Sequence, residues 1–308
     1  MSASPARRED TRVGATPEAI QAHYDAGDAF FALFLDPTRT YSAALFANGA
    51  DDLEAAQLAK IDWHLERAGV RAGKRLLDIG CGWGGLIGRA VTTHGAAEAV
   101  GLTLSAAQAR HVSASRNARL SARLEDWADH TPAVPYDAIT SVGAFEHFAA
   151  AGLAREVRVA AYGRFFAKCA DMLAPGGRLS LQTIAYPTGF DRAAYDATDY
   201  GAFVRERIFP ESDLPTLPEI LEAADDAFEP VIIRNDRRCY ARTARIWRGR
   251  LREHEAEATA LVGERRVRDL DRYFRTSAGA FDIGTLQLLR LAFQKKLAFQ
   301  KKRTRACP

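Results

Sequence analysis

Cysteine is scarce in this 308-residue chain. The four present, Cys81, Cys169, Cys239 and Cys307, stand far apart, with no C-x-x-C pair among them. Such spacing suggests neither a zinc site nor a disulfide framework, so no metal is expected, and a reducing, cytoplasmic setting is the default. Long apolar runs are missing as well. None approaches the ~18 residues that a membrane-crossing helix needs, which leaves at most peripheral contact with a membrane. The opening stretch MSASPARREDTRVGATP lacks the apolar centre of a signal peptide, and residues 1–16 read as a disordered tail. A surplus of either charge is also absent: the net charge of +3 makes no electrostatic case for a nucleic-acid partner. Nothing in the composition speaks to oligomeric state.

Apolar residues, by contrast, make up 47% of the chain, enough for the core of one large domain or of a domain with an insertion. From residue 75 onward strand-like and helix-like segments alternate. RLLDIG reads as a strand before a helix over about 84–94, and EAVGLTL as a strand before a helix over about 105–118. SARLEDW reads as a short strand. YDAITSVGAF is another, followed by a helix through Tyr162 to Leu173, a PGG turn (Pro175, Gly176, Gly177) and the strand RLSLQTI. This alternation predicts an α/β fold with a parallel, doubly wound sheet. A helical region over 17–70 precedes it, and the irregular stretch YPTGFDRAAYDATDYGAF follows. An α/β return closes the chain: PVIIRND, a helix from Tyr240 to about Ala260, further helix, and GTLQLLRLAF. LAFQKK then occurs twice in tandem, at 291–296 and 297–302. It reads as a duplicated, solvated tail or as a basic lipid-surface anchor; the first is preferred, since a few lysines add little on a membrane.

The most telling stretch is RLLDIGCGWGG, residues 75–85. A buried strand runs through Asp78 into a loop holding Gly80, Gly82, Gly84 and Gly85. Glycines allow a tight turn and let a ligand approach the main chain, and the following helix points its N-terminal amides into the same crevice. Gly80, Gly82 and Gly85 satisfy G-x-G-x-x-G, so the motif alone does not exclude a dinucleotide. The context argues against one. Where the second strand would end in a ribose-binding acid, this chain has Thr103, in GLTLSAAQ. An acid ahead of the glycines, here Asp78, is common in S-adenosyl-L-methionine sites, facing the ammonium or ordering the loop; a plain loop-capping acid is the other reading.

Several segments together resemble the cyclopropane-fatty-acid synthase family, which includes the mycolic acid cyclopropane synthases. They are HYDAGDAFFALFLDPTRTYSAALF, LLDIGCGWGG, GLTLSAAQ, SVGAFEHF, PGGRLSLQTI, IFPESDLP and CYARTARIW, in family order over about residues 20–295. The resemblance implies a class I S-adenosylmethionine-dependent methyltransferase fold, Rossmann-like, with a seven-stranded, mostly parallel sheet. It divides the domain, 17–303, into a helical cap (17–70), a cofactor-binding core (71–186), a substrate lid (187–228) and a C-terminal α/β part (229–303). GTLQLLRLAF would supply the antiparallel last strand. By the same resemblance Tyr41 and Ser42 sit over the cofactor, and Asp78, Gly80 and Gly82 line its methionine and ribose portion. Thr103 and Gln108 stand in for the ribose acid, and Trp127 lies against adenine. Tyr41 as cap packing, Gln108 as a surface amide and Trp127 as core are the alternatives.

Methyl transfer from a sulfonium is a displacement that needs alignment and exclusion of water. An alkene nucleophile then leaves a carbocation that must lose a proton. In the family a bicarbonate base is held by Cys, Glu, His and Tyr. This chain matches with Glu146 and Tyr240 but has Ala43 for the Cys and Gln182 for the His. That weakens the cradle: bicarbonate is doubtful, and a different base, or none, is expected. Glu146 is the foremost catalytic candidate, as base or as a carboxylate beside a cation, its alternative being a charge at a helix N-terminus. His147 is a second base, as in related plant N-methyltransferases with an E-H pair, or a packing residue. Tyr240 positions substrate or is simply buried. Phe30, Phe31 and Phe34 are core or acyl-pocket residues. The expected activity is alkylation, by methyl transfer or cyclopropane-forming chemistry, of a hydrophobic small molecule or lipid, in secondary metabolism, with an isoprenoid, polyketide or aromatic acceptor fitting, and with release of S-adenosylhomocysteine. The alternatives are a fatty-acyl cyclopropane synthase acting on phospholipid, a cyclase closing a ring from a sulfonium adduct, and a non-enzymatic S-adenosylmethionine-binding protein.

Overall fold

The computed structural model describes residues 14–16, 21, 27–46 and 52–297. Residues 1–13 of the tail expected over 1–16, the HYDA portion of the N-terminal motif, Cys307 and all but the first residue of the second LAFQKK copy lie outside the described residues. The helices α1 (Asp28–Ala32) and α2 (Leu53–Ala68) precede the sheet. The alternating core follows: β1 (Arg75–Ile79), α3 (Gly85–Thr92), β2 (Glu98–Thr103), α4 (Ala106–Ser113), β3 (Leu120–Leu124) and β4 (Tyr136–Val142). A single 3-10 turn (Phe145–His147), α5 (Arg155–Met172) and β5 (Leu173–Ala185) complete it. Then come α6 (Arg192–Asp196), α7 (Asp199–Arg207), α8 (Leu217–Ala224) and β6 (Phe228–Asn235). The chain ends in α9 (Arg237–Glu253), α10 (Glu255–Val262), α11 (Glu264–Ile283) and β7 (Gln287–Lys295).

The seven strands form one sheet in the order β3-β2-β1-β4-β5-β7-β6. β7 runs antiparallel to both neighbours, β5 and β6, and all other pairs are parallel. This is the class I S-adenosylmethionine-dependent methyltransferase arrangement. Continuous apolar runs make the central strands: Leu76, Leu77, Ile79, Ala99, Val100, Leu102, Ala138 and Ile139 are all buried, as strands covered on both faces require. α2 packs Ile61, Leu65 and Ala68 on one face of the sheet, and α5 packs Tyr162, Phe165, Phe166 and Cys169 on the other. α2 starts where Asp52 accepts the Ala55 amide at 2.7 Å and stops at Gly69 in the left-handed region.

The elements differ from the sequence-based expectation in four places. The irregular stretch after β5 contains α6 and α7, started by Asp191, which accepts from the Ala194 amide, and Thr198, which accepts from the Gly201 amide. The PGG turn is a kink inside the span of β5, where pairing with β4 skips between Tyr136 and Ala138 and Gly176 has φ +74°. β3 ends at Leu124, so Trp127 sits in a loop. The helix foreseen from Tyr240 to about Ala260 is two helices, α9 and α10, which with α11 pack against α1 through Trp247, Leu251, Leu270, Phe274, Phe30, Phe31 and Phe34. The cap over the sheet is thus assembled from both ends of the chain.

Gly80 follows β1 with φ +80°, and an added Cβ would lie 2.5 Å from the Ala144 Cβ. Gly80→Ala therefore meets both a left-handed backbone and a clash. It is expected to lower stability by about 2–4 kcal/mol, read from urea unfolding at constant m-value.

Candidate active site

β1 and β4 are neighbours whose connections leave toward opposite ends of the sheet, so a crevice opens at their carboxyl ends. A cavity of about 510 Å3 occupies it, lined by Asp78, Gly80, Gly82, Thr103, Gln108 and Trp127 and roofed by Tyr41 and Ser42. Asp78 is buried and accepts a 2.7 Å bond from Thr140 Oγ1, its register partner on β4. Burial pushes its carboxyl up to about 6, opposed by Thr140 and the charge of Lys60. It caps no helix: α3 starts at Gly84 without a side-chain cap. Thr103 donates to Gln108 Oε1 at 2.6 Å, so what Gln108 has to offer a ligand is its amide N–H donors. Trp127 packs edge-on against Phe165 and tilted on Phe148, with one side toward the cavity.

A second cavity, about 390 Å3, is lined by Glu146, Gln182 and Tyr240, and it shares Tyr41, Ser42, Gly143 and His147 with the first. Glu146 lies in the 3-10 turn after β4 and is 8% exposed. Its Oε1 accepts the Ile184 amide at 2.7 Å, while Oε2 is buried without a hydrogen bond among the described residues. Burial pushes the acid up to about 7. The His147 imidazole is pushed down to about 4 by burial, and its Nδ1 lies 2.7 Å from Ser212 Oγ. Gln182 Oε1 accepts from Arg290 Nε at 2.8 Å. Tyr240 stacks on Phe281 at 4.4 Å. Ala43, at the family's Cys position, is buried among Ala241, Phe281 and Leu288 and lines neither cavity. Phe30, Phe31 and Phe34 line neither and belong to the cap core.

Sequence reasoning passed over several residues that the fold brings here. Tyr186, Tyr195, Tyr200 and Tyr273 wall the second cavity. Lys60 reaches the first from α2. Trp83, in the glycine loop, donates to Asp28 Oδ1 at 2.6 Å. The same Asp28 carboxylate accepts from Arg39 at 3.0 Å and lies 2.8 Å from His111 Nδ1, so one cap residue ties the cap to the glycine loop and to α4.

The profile of the mycolic acid cyclopropane synthetase family matches residues 12–291. The chain belongs to this family. It is 37% identical to cyclopropane mycolic acid synthase MmaA2 of Mycobacterium tuberculosis over 295 residues, which cover 90% of this chain and 97% of that protein. Cyclopropane mycolic acid synthase 1 of the same organism is 35% identical, with 90% and 96% covered. The solved structure of MmaA2 superposes with a TM-score of 0.82, covering 93% of this chain and all of that one. That of CmaA1 complexed with S-adenosylhomocysteine and CTAB superposes at 0.81, with 33% identity and 92% and 99% covered. Coclaurine N-methyltransferase, 20% identical with a TM-score of 0.76, shares the fold. In this family member the cap is clasped at Asp28. Asp28→Ala removes three polar contacts from a part-exposed site, and a loss of about 1–2 kcal/mol is expected. Thermal unfolding reads the loss, and a red shift of tryptophan emission reads the freed Trp83 indole.

Proposed function

We propose that the chain is an S-adenosylmethionine-dependent alkylating enzyme, a transferase of the EC 2.1.1 type, whose acceptor is a hydrophobic small molecule or lipid. Its catalytic domain runs over 17–303, with the cap, core, lid and C-terminal part bounded as the resemblance implies. The observation that carries this reading is the junction of the two cavities at Tyr41, Ser42, Gly143 and His147, with a half-bonded, buried Glu146 just beyond it. A volume of about 510 Å3 lies within the roughly 300–1,000 Å3 usual for small-molecule sites. The donor set around it suits a zwitterionic nucleoside: a carboxylate at Asp78, bare main chain at Gly80 and Gly82, amide donors at Gln108 beside Thr103, and an indole face at Trp127. When bound, S-adenosylmethionine supplies an electrophilic carbon on a positively charged sulfur.

The chain's own groups then have four tasks. Asp78 accepts from the amino-acid ammonium, Gln108 donates to the ribose diol, and Trp127 flanks the base. Tyr41 and Ser42 close the roof and separate cofactor from acceptor. Around the second cavity the aromatic walls exclude water and shape the acceptor's approach. Glu146 stands where charge develops: as a carboxylate it takes a proton from the alkylated centre or offsets its positive charge. His147 is neutral at pH 7 and adds a proton acceptor at the junction. Tyr240 and Gln182 orient the acceptor. With Ala43 sealed in the apolar cluster, a bicarbonate cradle loses one wall, and the proton-accepting work falls to Glu146.

Labelled S-adenosylmethionine should be offered with unsaturated phospholipid and with isoprenoid, polyketide and aromatic acceptors. Transfer to a metabolite with release of S-adenosylhomocysteine is the expected outcome. A CH2 gain with loss of the olefin on phospholipid would assign fatty-acyl cyclopropanation instead. Tight binding of S-adenosylhomocysteine with no turnover of any acceptor would leave a binding protein. Glu146→Gln is expected to lower kcat by about 10²–10⁴, and unchanged turnover would remove Glu146 from the chemistry. In the unsubstituted enzyme kcat/KM should rise with pH through about 7, as Glu146 ionises, and the substitution should flatten that step. Stability runs the other way. The folded state holds the Glu146 proton more tightly than the unfolded chain does, so stability falls as pH rises from the ordinary carboxylate range through about 7. Glu146→Gln should therefore gain on the parent between pH 5 and pH 8 in urea unfolding.

A further inference from the structure

Gln57, Lys60 and His64 occupy helical spacing on the buried face of α2, so all three are turned inward, and Lys60 reaches the first cavity. Gln57 Nε2 donates to the Thr40 and Ser42 carbonyls at 3.2 and 2.9 Å. Lys60 Nζ donates to Ser42 Oγ at 2.8 Å. Lys60 is 1% exposed and lines the first cavity. An ammonium has three N–H donors, yet among the described residues Nζ makes one hydrogen bond, to that hydroxyl, and no carboxylate lies within ion-pairing distance. A buried cation without a counter-charge is costly, and Lys60 borders a cavity of ligand size.

Ser42 Oγ takes the Lys60 proton donor on a lone pair, which leaves its own O–H to donate elsewhere, and Ser42 too borders the cavity. That wall therefore offers a positive charge and two kinds of donor, whereas Asp78, in the same cavity, offers a negative charge and acceptors. Opposite charges within one cavity match a ligand end that carries both an ammonium and a carboxylate. We propose that Lys60, acting with Ser42, is the receptor for the α-carboxylate of the cofactor's amino-acid end, opposite Asp78. The assignment rests on the reading that the first cavity holds S-adenosylmethionine and its product.

The surrounding charges shape how this receptor titrates. Asp36 from the segment after α1 and Asp78 from β1 favour the ammonium, while Arg290 from β7 disfavours it and burial disfavours it most, bringing it down to about 7. His64, on the same helix, is held neutral by burial and by the charges of Arg290 and Lys60. At pH 8 Asp78 is ionised and Lys60 is mostly neutral, so a carboxylate arriving beside Lys60 draws a proton onto it.

The test is calorimetric titration of the full chain and of Lys60→Met with two ligands, S-adenosylhomocysteine and its decarboxylated analogue. Lys60→Met is expected to weaken S-adenosylhomocysteine by about ten- to a hundredfold, the size of a lost charge-assisted bond, and to leave the analogue's affinity unchanged. At pH 8, in buffers of different ionisation heat, the parent should take up more protons than the variant on binding S-adenosylhomocysteine and not on binding the analogue. Equal losses on both ligands, or no loss on S-adenosylhomocysteine, would overturn the assignment and leave Lys60 a structural residue. Failure of the parent chain to bind either ligand would overturn the cofactor reading itself. Should Lys60→Met not fold, Ser42→Ala keeps the ammonium and removes the hydroxyl. A carboxylate-selective loss in that variant supports the assignment, and an unselective one overturns it.

Discussion

Residues 41–45 have no regular secondary structure, and both cavities depend on where that segment lies, because Tyr41 and Ser42 border each of them. Hydrogen bonds reach it from three elements, α2, α9 and β7. Gln57 and Lys60 reach it from α2, and Thr243 of α9 accepts the Ala44 amide at 3.1 Å. Arg290 of β7 donates to the Ala43 and Ala44 carbonyls, and the Leu45 amide reaches the Ala56 carbonyl. A buried irregular segment is stable only when such bonds replace those of a helix or sheet. Roofing the site in this way makes the cofactor and acceptor chambers two parts of one packed unit.

Arg290 shows how far that coupling extends. It is fully buried, at 0% exposure, and besides the two carbonyls it bonds Gln182 Oε1 at 2.8 Å and Asp236 Oδ2 at 2.6 Å. A side chain on the last strand thus orients an amide of the second cavity and fixes the roof. The lid has a comparable anchor, since Arg158 and Arg192 both pair with Glu219 and Asp213 between α5 and α8. Around the cavities burial moves every shifted acid and base toward its neutral form: Asp78 and Glu146 upward, Lys60 and His147 downward. Among groups so buried a charged ligand or transition state meets interactions stronger than water would allow.

Much of the architecture was legible because its signals are local. The run RLLDIGCGWGG announces a buried strand, a glycine turn and a helix start within eleven residues, and GTLQLLRLAF reads as a strand whatever its partners. Glu146 and Asp78 were found for the same reason, Asp78 near the end of an apolar strand and Glu146 just after one, at the edge where such sheets carry ligands. α6 and α7 were missed although Asp191 and Thr198 stand at proper N-cap positions, because few apolar residues mark their faces. Lys60 and His64 left a signal that was there to be read, polar residues at the 3–4 spacing of the apolar stripe Ala56, Ile61, Leu65 and Ala68. The tyrosines passed over in the second cavity had none: Tyr186, Tyr195, Tyr200 and Tyr273 share no periodicity and belong to no motif.

Strand and helix identity, the glycine loop and the acid beside it follow from neighbours a few residues apart, so the chain's order alone determined them, along with membership of its family. Only folding decided that α9–α11 join α1 in the cap, that Ala43 is sealed away while Gln182 faces a chamber, and that a lysine of α2 meets a serine 18 residues earlier over the carboxyl edge of the sheet. Those outcomes depend on burial and on contacts between residues distant in sequence. Such contacts exist only once the sheet has brought its two ends together.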